Sequence, residues 1–131
     1  MFYADTSALV RLIVPEAESE ALRSWIGEED AEFASSDLAR TELRRAILRS
    51  SVDTAGASRA RDLLRRLTLL SLTPELLDQA GSLTPNTLRS LDAIHLISAL
   101  ALGDDLSAVV TYDERMAGAA VALGLPVIAP A

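Results

Sequence analysis

The chain reads as an α/β domain in three layers, with a mostly parallel central sheet of about five strands and helices on both faces. Three observations predict this. Short apolar runs alternate with longer helix-like segments from one end of the chain to the other. The first run, Phe2 to Ala4, starts almost at the first residue and feeds straight into a helix, as a central strand of a parallel sheet does. The runs also close on helix-starting polar residues, Asp5-Thr6-Ser7 and Ser35-Ser36-Asp37.

After Phe2–Ala4, the hydroxyls of Thr6 and Ser7 suit a helix N-terminus, and Leu9, Val10, Leu12 and Ile13 continue it until Pro15 interrupts. Pro15 to Ile26 reads as a second helical piece, apolar at Ala21, Leu22, Trp25 and Ile26. Glu32 to Ser35 is a second strand, and the helix after it runs to about Ser51 on a stripe of Ala39, Leu43, Ala46 and Ile47. A helix over Thr54 to Leu67 precedes a third strand, Thr68 to Leu72. Thr73-Pro74 then supplies an N-cap and a proline at the first helical position, for a helix ending near Gly81. Residues 82–89 form a loop around Pro85, Ser90 to Leu102 a strongly apolar helix, and Ala108 to Thr111 a fourth strand. Asp113 to Leu123 is the last helix, closed by Gly124, and Pro126 to Ile128 is an edge strand, where proline is tolerated.

At 131 residues the chain has the length of one domain, residues 1–131, with a core of Leu, Ala, Val and Ile, since only 4% is aromatic. No apolar run reaches the roughly 18 residues of a membrane span. With no signal peptide before the first strand, a soluble cytoplasmic protein without a membrane partner is expected. The absence of cysteine excludes disulfides, thiolate metal sites and thiol catalysis. The net charge of −7 argues against nucleic-acid binding, but it is unevenly spread. Residues 13–32 are strongly acidic, whereas 38–66 carry Arg40, Arg44, Arg45, Arg49, Arg59, Arg61, Arg65 and Arg66 against three acids. Such a segment can hold a phosphate backbone, although solvated helix faces explain most of these arginines as well.

The expected topology gathers acids that are far apart in sequence. Asp5 ends the first strand, Asp113 follows the fourth, and Asp92 opens the helix that leads back into the fourth. Glu42 lies about 9 Å into its helix, and its side chain points back toward the same edge. Each has a plainer reading: Asp5 or Asp113 as helix caps, Asp92 at the positive end of a helix, Glu42 paired with Arg45. Together they are harder to dismiss, because carboxylates ~4 Å apart repel by about 4 kcal/mol at an effective dielectric near 20. An oxygen-only donor set points to a hard cation, Mg²⁺ or Mn²⁺, and to phosphoryl chemistry.

Four motifs in order then carry a resemblance that covers the whole chain: Tyr3-Ala4-Asp5-Thr6-Ser7-Ala8-Leu9-Val10, Glu42 in Ala-Arg-Thr-Glu-Leu, Asp92 in Leu-Asp-Ala-Ile-His-Leu, and Asp113 in Thr-Tyr-Asp-Glu-Arg-Met. The chain resembles a PIN domain and, more narrowly, a VapC-type toxin of a toxin–antitoxin pair. The resemblance implies a PIN-like fold in which Asp5, Glu42, Asp92 and Asp113 hold one or two Mg²⁺ or Mn²⁺ ions. Asp5 and Asp92 would be the most direct ligands, with Ser7 and Thr111 in support. It implies an endoribonuclease in which metal-activated water cuts single-stranded RNA, leaving a 5′-phosphate and a 3′-hydroxyl. Of the basic residues, Arg40, Arg44, Arg45 and Arg49 share a helix with Glu42 and are candidate RNA contacts.

His95, three residues after Asp92 and flanked by Ile94, Leu96 and Ile97, reads as a structural, hydrogen-bonded histidine rather than a general base. A haloacid-dehalogenase-like phosphatase is disfavoured, since Ser7 stands where it needs a second Asp and the chain has no Lys. A receiver-like domain fails on the same missing Lys, a dinucleotide fold on the absence of a glycine-rich turn. A non-toxin or degenerate PIN domain that binds RNA without cutting it is the remaining alternative. Leu9, Val10, Leu12, Ile13, Val14, Leu22, Trp25 and Ile26 exceed what one small sheet can cover, so a partner is expected there. The resemblance supplies two: a second copy in a homodimer, and a cognate antitoxin whose amphipathic helix lies in an apolar groove.

Overall fold

In the computed structural model, which describes residues 1–50 and 54–131, the sheet contains strands β1 (Phe2–Ala4), β2 (Phe33–Ser36), β3 (Thr68–Leu70), β4 (Ala108–Val110) and β5 (Val127–Ile128). Their order is β3-β2-β1-β4-β5, with β1 in the centre and every pairing parallel. The expected sheet was mostly parallel; the observed one is wholly so. Chain direction reverses across β1, since the path runs outward to β2 and β3 and then returns to β4. Such a switch point opens a crevice at the carboxyl ends of the strands.

The helices are α1 (Thr6–Arg11), α2 (Ser19–Glu29), α3 (Leu38–Arg49), α4 (Ala55–Arg66), α5 (Pro74–Gly81), α6 (Ser90–Ala101) and α7 (Glu114–Ala122). Alternation along β1 assigns them to two faces. Phe2 and Ala4 join a cluster with Leu9, Leu22, Leu43 and Leu63 from α1 to α4. Tyr3 points the other way, among Leu96, Met116 and Ala120 of α6 and α7. These two clusters make the three layers.

Several boundaries differ from expectation. The third strand stops at Leu70, whose C=O accepts the Asp37 N–H in the last ladder bond to β2, and Thr73 three residues on already caps α5. The second helix starts at Ser19, not Pro15: the Ser19 hydroxyl accepts the Glu16 N–H and holds that stretch in a turn. It continues past Ile26 to Glu29, ending where Asp30 takes φ 48°, a left-handed stop. The expected end of α3 near Ser51 falls outside the described residues. Among the described residues no helix is long and apolar enough to cross a membrane.

The apolar residues expected to form a partner surface are mostly interior. Leu9, Ile13 and Leu22 are buried, and Val10, Leu12, Val14, Trp25 and Ile26 pack half-buried against the same cluster. Trp25 explains part of this, since its ring stands edge-on to Phe2 at 4.9 Å and closes the core below α2. Among the described residues, the large apolar side chains that face outward are Leu48, Leu77, Leu91 and Val121.

Candidate active site

The crevice is built from the residues that end β1 and β4. The Asp5 N–H donates to Val110 O at 3.3 Å, which seats Asp5 beside Thr111. Asp5 is buried, at 5% exposure, and its carboxylate is held by three donors. Oδ1 accepts from the Ser7 hydroxyl at 2.6 Å and the Ala8 N–H at 3.2 Å; Oδ2 accepts from the Thr111 hydroxyl at 2.6 Å. Asp5 is thus the N-cap of α1 and a candidate site acid at once. The two hydroxyls are themselves fixed: Ser7 Oγ accepts the Tyr112 N–H and Thr111 Oγ1 accepts the Asp113 N–H. Burial raises the Asp5 pKa despite these hydrogen bonds from Ser7 and Thr111, the positive influence of His95 and the Ala8 N–H. Oδ1 is fully used by its two donors, whereas Oδ2 keeps a lone pair.

Asp113 caps α7, its Oδ1 accepting from the N–H groups of Arg115 and Met116. Its other oxygen is left to the solvent-facing side. Asp92 sits in the first turn of α6, half-buried, and accepts no hydrogen bond from any described residue. Burial raises its pKa, and the charges of Asp113 and Asp5 add to that, against opposing pulls from His95 and Arg89. The three carboxylates therefore feel one another.

Glu42 does not pair with Arg45. Its Oε1 accepts from Thr6 Oγ1 and His95 Nε2, both at 2.6 Å. Burial works to raise its pKa, but the hydrogen bonds from His95 and Thr6, with the charges of His95 and Arg49, hold it below the ordinary value. His95 is indeed buried and hydrogen-bonded, its Nδ1 lying 2.8 Å from the Tyr3 hydroxyl. Its second partner, however, is a site acid. The spacing Asp92–His95 was the available signal, since residues three apart share a helix face; Tyr3 and Thr6 gave none.

Glu42, Asp92 and Asp113 line one cleft of about 730 Å³ together with Arg89, Ser90, Leu91, Glu114 and Arg115. It shares Arg89, Asp92, Glu114 and Arg115 with a neighbouring trough floored by Leu88, Gly118 and Ala119. Arg89 and Arg115 at this junction were not anticipated. They lie within three residues of Asp92 and Asp113, which was a readable sign. Among the described residues no three Asp, Glu or His side chains stand close enough to cage an ion. Glu42, Asp92 and Asp113 line the cleft without closing on a point, and Asp5 is not part of its lining. The donors they offer are all oxygen, the kind a hard cation such as Mg²⁺ takes while keeping several waters.

Along α3, helical spacing sorts the four candidate arginines. Arg45 and Arg49 lie three and seven residues after Glu42, on its side of the helix, whereas Arg40 and Arg44 face away. Arg40 also bonds Asp37 at 3.0 Å.

The model of the PIN domain family matches residues 2–122. The chain belongs to that family. Within it, the chain is 46% identical over 128 residues to Ribonuclease VapC46 of Mycobacterium tuberculosis, covering 98% of this chain and 96% of that one. It is 39% identical over 133 residues to Ribonuclease VapC47 of the same species, with 99% and 97% covered. Among solved structures it resembles the M. tuberculosis toxin VapC20, described as cleaving the sarcin-ricin loop, with a TM-score of 0.74 at 16% identity over 99% of this chain and all of that one. VapBC2 of Rickettsia felis, bound to a DNA fragment from its promoter, gives 0.67 at 17% identity with both chains fully covered. At those identities the two structures speak for the fold, and the fold is the one expected.

Proposed function

We propose that this protein is a Mg²⁺-dependent endoribonuclease of the cytoplasm that cuts single-stranded RNA regions and serves as the toxin of a toxin–antitoxin pair. The observation that carries this is Asp92, a half-buried carboxylate with no hydrogen bond from a described residue and with Asp113 and Asp5 raising its pKa. A cation is the natural counterpart of such a group. Asp92 and Asp5 Oδ2 would hold it, with Glu42 and Asp113 reaching it directly or through water. A bound Mg²⁺, or Mn²⁺ in its place, supplies charge neutralisation at the phosphate and lowers the pKa of a water.

The chain's own residues do the remaining work. Ser7, Thr111 and the Ala8 N–H aim the Asp5 carboxyl and favour its ionised form against burial. Arg89 and Arg115 draw a phosphodiester into a cleft whose acids would otherwise repel it. Single strands fit best, because their backbone can follow the cleft into the adjoining trough with the bases splayed. The full-length likeness to VapC ribonucleases supports the activity. Incubating an unstructured RNA with the purified protein should give 5′-phosphate products with Mg²⁺ or Mn²⁺ and none with EDTA. Cleavage that survives EDTA would overturn the reading, and binding without any cleavage would make this a degenerate PIN domain.

RNA affinity should also fall as salt rises. Arg45→Ala with Arg49→Ala should flatten the log–log slope by about 0.7 for each phosphate these side chains neutralise. Arg40→Ala and Arg44→Ala should change it less. An unchanged slope in the first pair would mean that these arginines are only solvated.

The antitoxin belongs in the cleft of about 680 Å³ between α1–α2 and α4, where Leu12, Ile13, Ile26 and Leu63 form an apolar floor rimmed by Arg23, Asp62 and Arg66. A homodimer would use the outward-facing Leu48, Leu77 or Val121. Expression alone should arrest growth, and a co-encoded small protein should relieve it; normal growth with soluble active protein would remove the toxin role.

A further inference from the structure

The buried Tyr3–His95 pair lies outside the acid cleft yet ends on one of its carboxylates. Three elements meet there: Tyr3 from the central strand β1, His95 from α6, and Glu42 from α3. Tyr3 is fully buried and His95 is 3% exposed, so neither can touch substrate. Their hydrogen bonds form a continuous chain. The ionised Glu42 only accepts, so at 2.6 Å the proton between it and His95 belongs to Nε2. On the far side of the ring Nδ1 lies 2.8 Å from the Tyr3 hydroxyl, a hydrogen bond that fixes the ring's orientation. Thr6 donates its hydroxyl to the same Glu42 oxygen. Two donors thus occupy Oε1, while Oε2 takes no hydrogen bond from a described residue and Glu42 lines the cleft.

We propose that His95, oriented by Tyr3, is a positioning residue that clamps Oε1 of Glu42 and thereby presents Oε2 to the cation in the cleft. The inference rests on the metal reading above. A long glutamate side chain without the clamp samples several rotamers, and their loss opposes binding of the ion. Removing a hydrogen bond that orients a metal-binding carboxylate typically weakens metal affinity by about 10–100-fold.

The test measures Mn²⁺ binding by calorimetry, beside the Mg²⁺ concentration for half-maximal RNA cleavage and the metal-free melting temperature. His95→Phe keeps a ring in the cavity but removes both nitrogens; it should weaken Mn²⁺ binding about tenfold and raise the Mg²⁺ requirement alike. His95→Gln restores an N–H donor and should recover most of the loss, and Tyr3→Phe should fall between. In a Glu42→Gln background, His95→Phe should add nothing further, because the group it orients is gone. Wild-type Mn²⁺ affinity in a folded His95→Phe protein would overturn the proposal, as would a glutamine no better than phenylalanine, which would reveal a packing role. If His95→Phe does not fold, Tyr3→Phe decides: unchanged Mn²⁺ affinity there overturns the clamp. No Mn²⁺ binding by the wild-type protein would instead overturn the metal reading, and the clamp with it.

Discussion

Asp92→Asn should lower Mg²⁺-dependent RNA cleavage by well over about 100-fold, the upper end of what losing a mere supporting partner of a metal site costs. Beyond its place in the first turn of α6, Asp92 has little structural work to lose. It accepts no hydrogen bond from a described residue, and its pKa is raised by burial and by Asp113 and Asp5. Replacing it with a neutral amide of the same shape removes repulsion and leaves packing alone, so the variant should melt no lower than wild type. Cleavage assayed with circular dichroism on the same sample separates chemistry from folding. Asp104→Asn is the matched control, since Asp104 is exposed in the 3-10 turn Gly103–Asp105 after α6 and faces no other site acid. Cleavage by Asp92→Asn within tenfold of wild type would remove the assigned mechanism.

Asp5→Asn should abolish cleavage as well, and in metal-free protein it should raise the melting temperature. Burial raises the pKa of Asp5 in the folded state, so between the unfolded and folded values the native protein binds more protons than the unfolded chain. Stability from this group is therefore lost as pH rises through that window. An amide escapes this penalty. Its N–H₂ would face Thr111 Oγ1, which can turn its proton to Ser7 Oγ, 3.3 Å away, so the hydrogen bonds survive the change. Relief of such a functional-site penalty is commonly worth about 0.5–2 kcal/mol. At about 4 °C per kcal/mol for a domain of this size, a rise of a few degrees is expected by calorimetry at pH 7. The gap should narrow on acidification, and Mg²⁺ should stabilise wild type but not the variant. A lower melting temperature for Asp5→Asn at pH 7 would mean that the hydroxyl cradle demands a charge.

The sheet was legible because its signals are local. Phe2–Ala4 is short and apolar, and its next residue caps a helix; Thr73-Pro74 announces α5 in two residues. Boundaries set by longer contacts were less so, as with α2, whose start depends on the Ser19 hydroxyl meeting the Glu16 N–H. The apolar surplus in α1 and α2 read as a partner surface, but Trp25 turns inward onto Phe2 and Phe33 and absorbs much of it. Periodicity counts apolar faces; it does not show which of them a neighbouring layer covers.

By itself the sequence determined the α/β order, and strand alternation and helix direction pointed to Asp5, Glu42, Asp92 and Asp113 as candidate acids near the carboxyl ends of the strands. Only the tertiary structure decided what each acid is bonded to. Asp5 caps a helix and still keeps acceptor capacity at Oδ2, because a carboxylate has more lone pairs than a cap consumes. Glu42 leaves Arg45 for His95 and Thr6, because α1, α3 and α6 bring those donors within 2.6 Å of one oxygen. Partners 36 and 53 residues away have no local signature: a hydrogen bond reports the distance between two atoms in space, and that distance exists only once the layers have packed.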